Sequence, residues 1–345
     1  MQGNKVLSHY ENHQNFTEEA IQRALAKICA ETGFVARSEL QRRTFYDQNR
    51  TWRVRWSGNL DSKPAILRLE NVALETDEES IRVEFRKQAN AKVRPPITHA
   101  SAPFDPTRGY AWSIDEAVGE HPLFVAGDPA ELAVQAFVPF YRELRSAIQK
   151  PFWPAPTHLF KTSDVPVETR SRIFTEQQLA KWRKLAAERN PQVEVSHKEL
   201  LAKLEQRILS GIARRPLQFM HAHLAGSDVR IAPDGAYVVF ANHFWDWRQP
   251  GYDLAFAIWN QWMSLPLDRR TALGAKAVTD TWLKQIQANL ADLVSVQDVY
   301  AMLLNRCFGS LLLDIPAKRE RETEIEAFAF ETAIAQEALR LTSSS

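Results

Sequence analysis

Residues 219–259, FMHAHLAGSDVRIAPDGAYVVFANHFWDWRQPGYDLAFAIW, constrain the fold of this chain more than any other stretch. His221-Ala222-His223-Leu224 and Asp228-Val229 lead into a first short strand. Pro233-Asp234-Gly235 has the residues of a tight turn, since proline presets φ and glycine accepts positive φ. A second strand follows, and Tyr252-Asp253-Leu254-Ala255 opens an apolar helix. Loop, hairpin and helix are thus specified in one run.

The flanking sequence changes period on either side of about residue 119. Upstream, Thr17 is placed to cap a helix with Glu18 and Glu19 in its first turn, a Phe16 to Ile21 staple and an Ile21, Leu25, Ile28 stripe. Strands are expected near 44–46, 51–56, 65–70 and 110–115, interrupted by one helix near 77–91, an order that makes an antiparallel sheet with one helix. Downstream the chain reads as helices. Asp128-Pro129-Ala130-Glu131 starts one, carrying Leu132, Phe137, Phe140 and Leu144. A proline-rich stretch at 150–157 ends it, and 160–169 reads as a loop. Phe174-Thr175 with Gln178, and Val195-Ser196 with Glu199, match capping boxes; the helix from Ser196 ends near Arg215-Pro216. Further helices are expected near 270–290, 296–308 and 322–341.

In this order the segments resemble the aminoglycoside phosphotransferase and choline kinase family, whose catalytic stretch runs H-G-D-L-x-x-x-N, hairpin, I-D-W/F, Y-D-L-A. The resemblance covers about residues 40 to 260 and implies an α+β, two-lobed protein-kinase-like fold. A small antiparallel sheet lobe at 1–115 and a hinge at 116–120 would precede a larger, mainly helical lobe at 121–345 that carries the 219–253 hairpin. It also implies roles. Arg68 takes the phosphate-pairing position, Glu84 the carboxylate that pairs with it, and the backbone around Glu116 to Val118 the adenine contact. His221 is the structural histidine of the loop, and Asp253 stabilises that loop from below. His223 stands at the catalytic Asp position and Asp228 at the Asn that helps hold magnesium. Counting forward from His223 or back from Asp253, the position of the main magnesium Asp falls on Ala241, with Asn242 and Asp246 as the neighbouring oxygen donors. The loop Phe45-Tyr46-Asp47-Gln48-Asn49 has no glycine to bring amides onto phosphates.

Phosphoryl transfer in this fold depends on positioning and on magnesium neutralising charge. His223, Ala241 and the glycine-free loop therefore argue against the implied ATP and Mg2+. The expected function is a catalytically degenerate, pseudokinase-like protein that binds a nucleotide, a small-molecule metabolite or a protein partner. The alternative is an active ATP-dependent small-molecule kinase that phosphorylates a hydroxyl, with Arg68 on the phosphates, Asp228 and Asp246 on magnesium, and His223 as base, its ordinary pKa of about 6.5 permitting that role.

Two further patterns admit other chemistry. His221, His223 and His243 with Asp228 contain an H-x-H pair of the kind that can ligate a transition metal. Trp245, Trp247, Trp259 and Trp262 form either an aromatic wall for a quaternary ammonium or core packing. Composition narrows the rest. With 345 residues, 45% hydrophobic and 25% charged, the chain can fill two cores. A net charge of +1 gives no general pull toward nucleic acid or acidic membranes, and Lys318-Arg319-Glu320-Arg321 alternates as a solvated face does. Cys29 and Cys307 do not make a disulfide framework. No stretch approaches the ~20 apolar residues of a membrane span, and the first sixteen residues lack a signal-peptide core, so a soluble, cytoplasmic protein is expected.

Overall fold

The computed structural model describes residues 17–37, 41–44, 51–71, 78–119, 121–125, 127–152, 167–189, 191–211, 217–319 and 322–343. Phe16, the 45–49 loop, Asp77, all of 153–166 and Arg215-Pro216 lie outside them. The chain divides into two compact units, Met1–Glu120 with Arg230–His243, and His121–Val229 with Phe244–Ser345.

The first unit begins with α1 (Glu18–Thr32), followed by β1 (Val35–Ala36), β2 (Gln41–Thr44), β3 (Thr51–Leu60), β4 (Lys63–Glu70), α2 (Glu78–Gln88), β5 (Val93–Arg94), β6 (Thr98–Asp105) and β7 (Tyr110–Glu116). The Thr17 hydroxyl accepts the Ala20 N–H at 3.2 Å, as its sequence position predicts, and Gly33 closes α1 at φ 75°. Antiparallel pairing gives the order β1-β3-β4-β7-β6, with β2 also on β3. Ile21, Ala24 and Ile28 of α1 pack with Val54, Trp56, Ala65, Leu67, Leu69 and Ile114 of the sheet. Alternation along β4 sends Ala65, Leu67 and Leu69 into this core and Arg68 and Glu70 to the other face.

Strand β6 was absent from the sequence expectation. Its Thr-His-Ala-Ser-Ala-Pro-Phe-Asp run has little β propensity and contains Pro103, which a sheet tolerates at an edge, where β6 lies.

The second unit holds α3 (Ala130–Ala147), α4 (Val167–Arg189), α5 (Pro191–Ser196), α6 (Lys198–Gly211) and β8 (Gln218–Met220). The chain then makes β9 (Val229–Ile231), β10 (Tyr237–Val239) and β11 (Asp246–Arg248), and ends in α7 (Tyr252–Met263), α8 (Ala272–Asn289), α9 (Val296–Gly309), α10 (Ile315–Arg319) and α11 (Glu324–Ser343). Residues 230–243 were expected with the helical part. They group with the first unit because Tyr237 and Val238 pair in parallel with Val93 and Arg94. Val118 and Phe240 pack there on Ala232, Ala236 and Val238.

Two helix starts differ from the capping-box expectation. Thr175 lies inside α4, buried, with its hydroxyl on the Ser171 carbonyl at 2.9 Å, a bond available to any mid-helix threonine. Ser196 ends α5, whose start is Pro191, where the missing proline N–H costs nothing.

Helix α7 is buried on nearly every side, as its apolar composition requires. Trp245, Trp259 and Trp262 are buried, so these three belong to packing and not to an open aromatic wall. The Trp259 indole donates to Ser310 Oγ at 2.7 Å, and Trp282 to Gln261 Oε1 at 2.6 Å. No helix among the described residues is long and apolar enough to cross a membrane.

Gly251 starts α7 at φ 84°, and a Cβ there would sit 2.6 Å from the backbone of Asp298 and Val299. Gly251→Ala combines left-handed strain with a backbone clash, and we expect about 2–4 kcal/mol lost stability, read as a lower urea midpoint at unchanged m-value.

Candidate functional site

In the first unit the implied site is a buried ionic network. Arg68 Nη1 lies 2.9 Å from Glu78 Oε2, its Nε lies 3.2 Å from Glu70 Oε1, and its Nη2 lies 4.0 Å from Asp115 Oδ2. Arg53 also holds Glu70, at 2.8 Å, and Arg82 joins Glu78 at 3.1 Å to Asp115 at 2.8 Å. Burial alone would lower the Arg68 pKa, but Glu78, Glu70 and Asp115 outweigh it and bind the proton more tightly than usual. For Glu78, burial pushes upward, while Arg68, Arg82 and His243 hold the carboxyl well below the ordinary range.

The partner of Arg68 is thus Glu78 and not Glu84. Helix α2 starts at Glu78, and six residues further round, Glu84 points outward to Lys87 at 2.6 Å. Glu78 was legible only as one of two acids in a first turn, which reads as ordinary macrodipole preference.

In the segment expected to meet adenine, several polar groups bond within the first unit. The Glu116 carboxylate takes Arg94 in a two-point pair and the Ile97 N–H at 2.8 Å. The Ala117 N–H donates to Pro64 O at 3.2 Å and the Val118 N–H to Glu116 O at 3.1 Å.

At the end of β10, Ala241 has φ 56°, a left-handed conformation that aspartate and asparagine adopt several-fold more readily than alanine. The next residue explains how it is held. Asn242 is fully buried, donates its N–H to Glu78 Oε1 at 3.1 Å and its side-chain amide to Val239 O at 2.8 Å. His243 Nδ1 stands 3.8 Å from Glu78 Oε2.

In the second unit, the loop after β8 is fixed by Asp253, whose Oδ1 accepts the Ala222 N–H at 2.8 Å, with Ala222 at φ 62°. Burial pushes the Asp253 carboxyl up to about 6, against the downward pull of Arg145 and the Ala222 and His221 amides. His221 is fully buried, edge-on to Trp245 at 5.2 Å between centroids. His223 stacks parallel on Phe244 at 4.0 Å and tilts against Phe256 at 4.6 Å. Its Nδ1 lies 2.9 Å from Asp228 Oδ2, an oxygen that also accepts the Ala225 N–H at 3.0 Å. The loop between them is close-packed, since a Cβ on Gly226 would lie 2.5 Å from Phe124 O. Asp246 pairs with Arg248 Nη1 at 2.7 Å across β11.

Within the first unit Ala241 offers no ligand atom and Asn242 spends its side-chain amide on Val239 O; within the second, Asp228 Oδ2 already meets an imidazole and an amide, and Asp246 a guanidinium. Among the described residues no three or more His, Cys, Asp or Glu side chains are grouped to hold a metal ion.

No protein-family model matches this sequence, and no curated protein matches it. Solved structures match its fold. One is a thermostable aminoglycoside phosphotransferase in ternary complex with AMP-PNP and hygromycin B, 14% identical, with 92% of this chain and 98% of that chain covered at TM-score 0.59. A spectinomycin phosphotransferase in complex with ADP and spectinomycin is 9% identical, with 94% and 97% covered at TM-score 0.54. Choline kinase from Streptococcus pneumoniae is 12% identical, with 94% and 99% covered at TM-score 0.55. The chain therefore has the protein-kinase-like α+β fold of these phosphotransferases.

Glu78→Gln leaves buried Arg68 and Arg82 undercompensated and is expected to cost about 3–5 kcal/mol in urea denaturation, whereas Glu84→Gln, on a half-exposed pair, should change stability by less than about 0.5 kcal/mol. Asp253 supplies a pH signature. Its folded pKa of about 6 lies above its ordinary value of 3.8, so the folded state holds the proton more tightly and its contribution is complete below about pH 4. That contribution is lost as pH rises through 6, on the order of 3 kcal/mol in all. Asp253→Asn should remove this component from the difference between wild-type and variant stability curves.

Proposed function

We propose that this protein has the frame of a small-molecule phosphotransferase without its magnesium chemistry, and that it acts as a pseudokinase-like binding protein for a small metabolite, a nucleotide or a protein. The observation that carries this reading is position 241. The backbone there keeps a conformation suited to aspartate, while the side chain is a methyl, and Asp228 and Asp246 already carry partners of their own. Loss of the main metal carboxylate removes on the order of several kcal/mol of transition-state stabilisation. Arg68 adds weight, because three carboxylates surround the guanidinium that would otherwise meet phosphate.

The neighbours' complexes with AMP-PNP and ADP support a nucleotide as one candidate ligand, and hygromycin B and spectinomycin support hydroxyl-bearing small molecules as another. A second reading, an active kinase, draws on the His223 pair. With Nδ1 turned to Asp228, Nε2 has no protein partner among the described residues and is the nitrogen free to take a hydroxyl proton. The contact that orients His223 uses Oδ2 of Asp228, so in this reading His223 and Asp228 act as a pair, with Oδ1 left as the magnesium oxygen.

Calorimetric titration with ATP, with and without Mg2+, separates the readings. We expect no magnesium-dependent component in the wild type, and gain of one in Ala241→Asp. Magnesium-dependent ATP binding by the wild type that disappears in Asp228→Ala would establish the kinase reading instead.

A further inference from the structure

Tyr252, Phe256 and Trp259 fall on one face of α7, with ring centres 6.4 Å and then 4.9 Å apart. Two arginines lie on this row. Arg306, in the last turn of α9, sets its guanidinium carbon 3.9 Å from the Trp259 ring centre and 5.4 Å from that of Phe256. Arg248 stands 5.6 Å from Tyr252. Cation–π attraction holds these guanidinium groups, and they occupy ring surface that a cationic ligand would need. Phe256 also touches the His223 ring at 4.6 Å. His223 keeps 34% of its side chain exposed and Phe244 is 37% exposed, so that end of the row opens to solvent. All of these residues belong to the second unit.

Arg306 is only 8% exposed, yet most of its donors are unspent. Its Nη2 meets Asp314 Oδ2 at 3.3 Å, while Nε is buried without an acceptor and Nη1 has none among the described residues. A guanidinium has five N–H donors, and burial ordinarily requires them to be met. Asp314 is itself shared. The same Oδ2 takes the Ser310 hydroxyl at 3.2 Å, and Ser310 takes the Trp259 indole. A π turn at Ser310–Asp314 gathers these groups, an irregularity that recurs at functional sites. The surrounding charge has the same sign. Arg248 pairs with Asp246 at 2.7 Å and its Nε is also buried without an acceptor. Lys181 of α4 keeps solvent exposure and has no carboxylate partner among the described residues; partial burial and Arg248 lower its pKa. Two arginines with one aspartate each, and a lysine with none, leave positive charge that no ion pair offsets.

We infer that the α7 face beside His223 is the subsite of a small hydroxycarboxylate, with the carboxylate on the Arg306 fork and a hydroxyl toward His223. A planar guanidinium matches a carboxylate in shape as well as charge. Asp314 next to it disfavours a dianion such as phosphate through like-charge repulsion. The inference rests on the small-metabolite reading given above and needs neither ATP nor magnesium.

Ligand-observed NMR and calorimetry on the full chain without nucleotide test it, using lactate, glycerate and gluconate against their neutral amides, glycerol, glucose and choline. At least one acid is expected to bind, with its amide roughly tenfold weaker or worse, and Arg306→Gln should weaken the acid by a similar factor. Asp314→Asn frees the guanidinium from its own aspartate and should tighten the acid roughly threefold or more, a gain that a purely structural pair would not give. Thermal melts establish that both variants are folded. Lys181→Gln, at the surface, supplies a second reading with a loss of roughly twofold or more. Amides binding as well as acids, neutral compounds or choline binding in their place, or weaker acid binding by folded Asp314→Asn would overturn the subsite and leave the metabolite reading standing. Binding by no compound of any charge would remove both.

Discussion

The carboxylate of Glu78 is where α2, β4 and the turn after β10 are tied together. It takes Arg68 and Arg82 on the charged side and the Asn242 N–H on the backbone side. A buried carboxylate is costly unless its oxygens are satisfied, and a buried guanidinium has the same requirement. Arg53, Arg68 and Arg82 against Glu70, Glu78 and Asp115 bring the local charge to balance. This balance also polices register. A one-residue slip of β4 would turn Arg68 into the apolar core and Leu67 out of it.

The balance has a chemical side as well. A cation positioned for phosphate is useful only if its charge is available when the ligand arrives. In this network the arginine is matched before any ligand is present, by Glu78 from a helix, Glu70 from its own strand and Asp115 from the next. An incoming anion has to compete with three groups that are already desolvated and already close.

The order of elements was readable from residue pattern because each landmark has a local cause. Proline and glycine set the 233–235 turn, alternation sets β3 and β4, and Thr17 caps its helix with a side-chain oxygen. Local causes also explain the failures. Thr175 and Ser196 have capping chemistry but sit within or at the end of helices that begin earlier, since a cap sequence does not exclude an upstream start. Which acid of α2 pairs with Arg68 depends on where the helix begins, and a shift of six residues turns the choice to another face. That Asp228 closes on His223 and Asp246 on Arg248 was not legible, because such pairings depend on side-chain reach in three dimensions.

Ala222 and Ala241 share an arrangement that has a wider consequence. Each is an alanine in left-handed backbone, strained by about 1–2 kcal/mol, and at each a buried carboxylate grips an adjacent amide, Asp253 on the Ala222 N–H and Glu78 on the Asn242 N–H. Relaxing either turn would strand a charged acceptor in the interior, a larger penalty than the strain itself. The shape of the two turns is therefore maintained by folding thermodynamics, with no contribution from any reaction. A protein built this way holds the geometry of both turns whatever chemistry the neighbouring side chains support, so that its backbone resemblance to the phosphotransferase structures follows from stability.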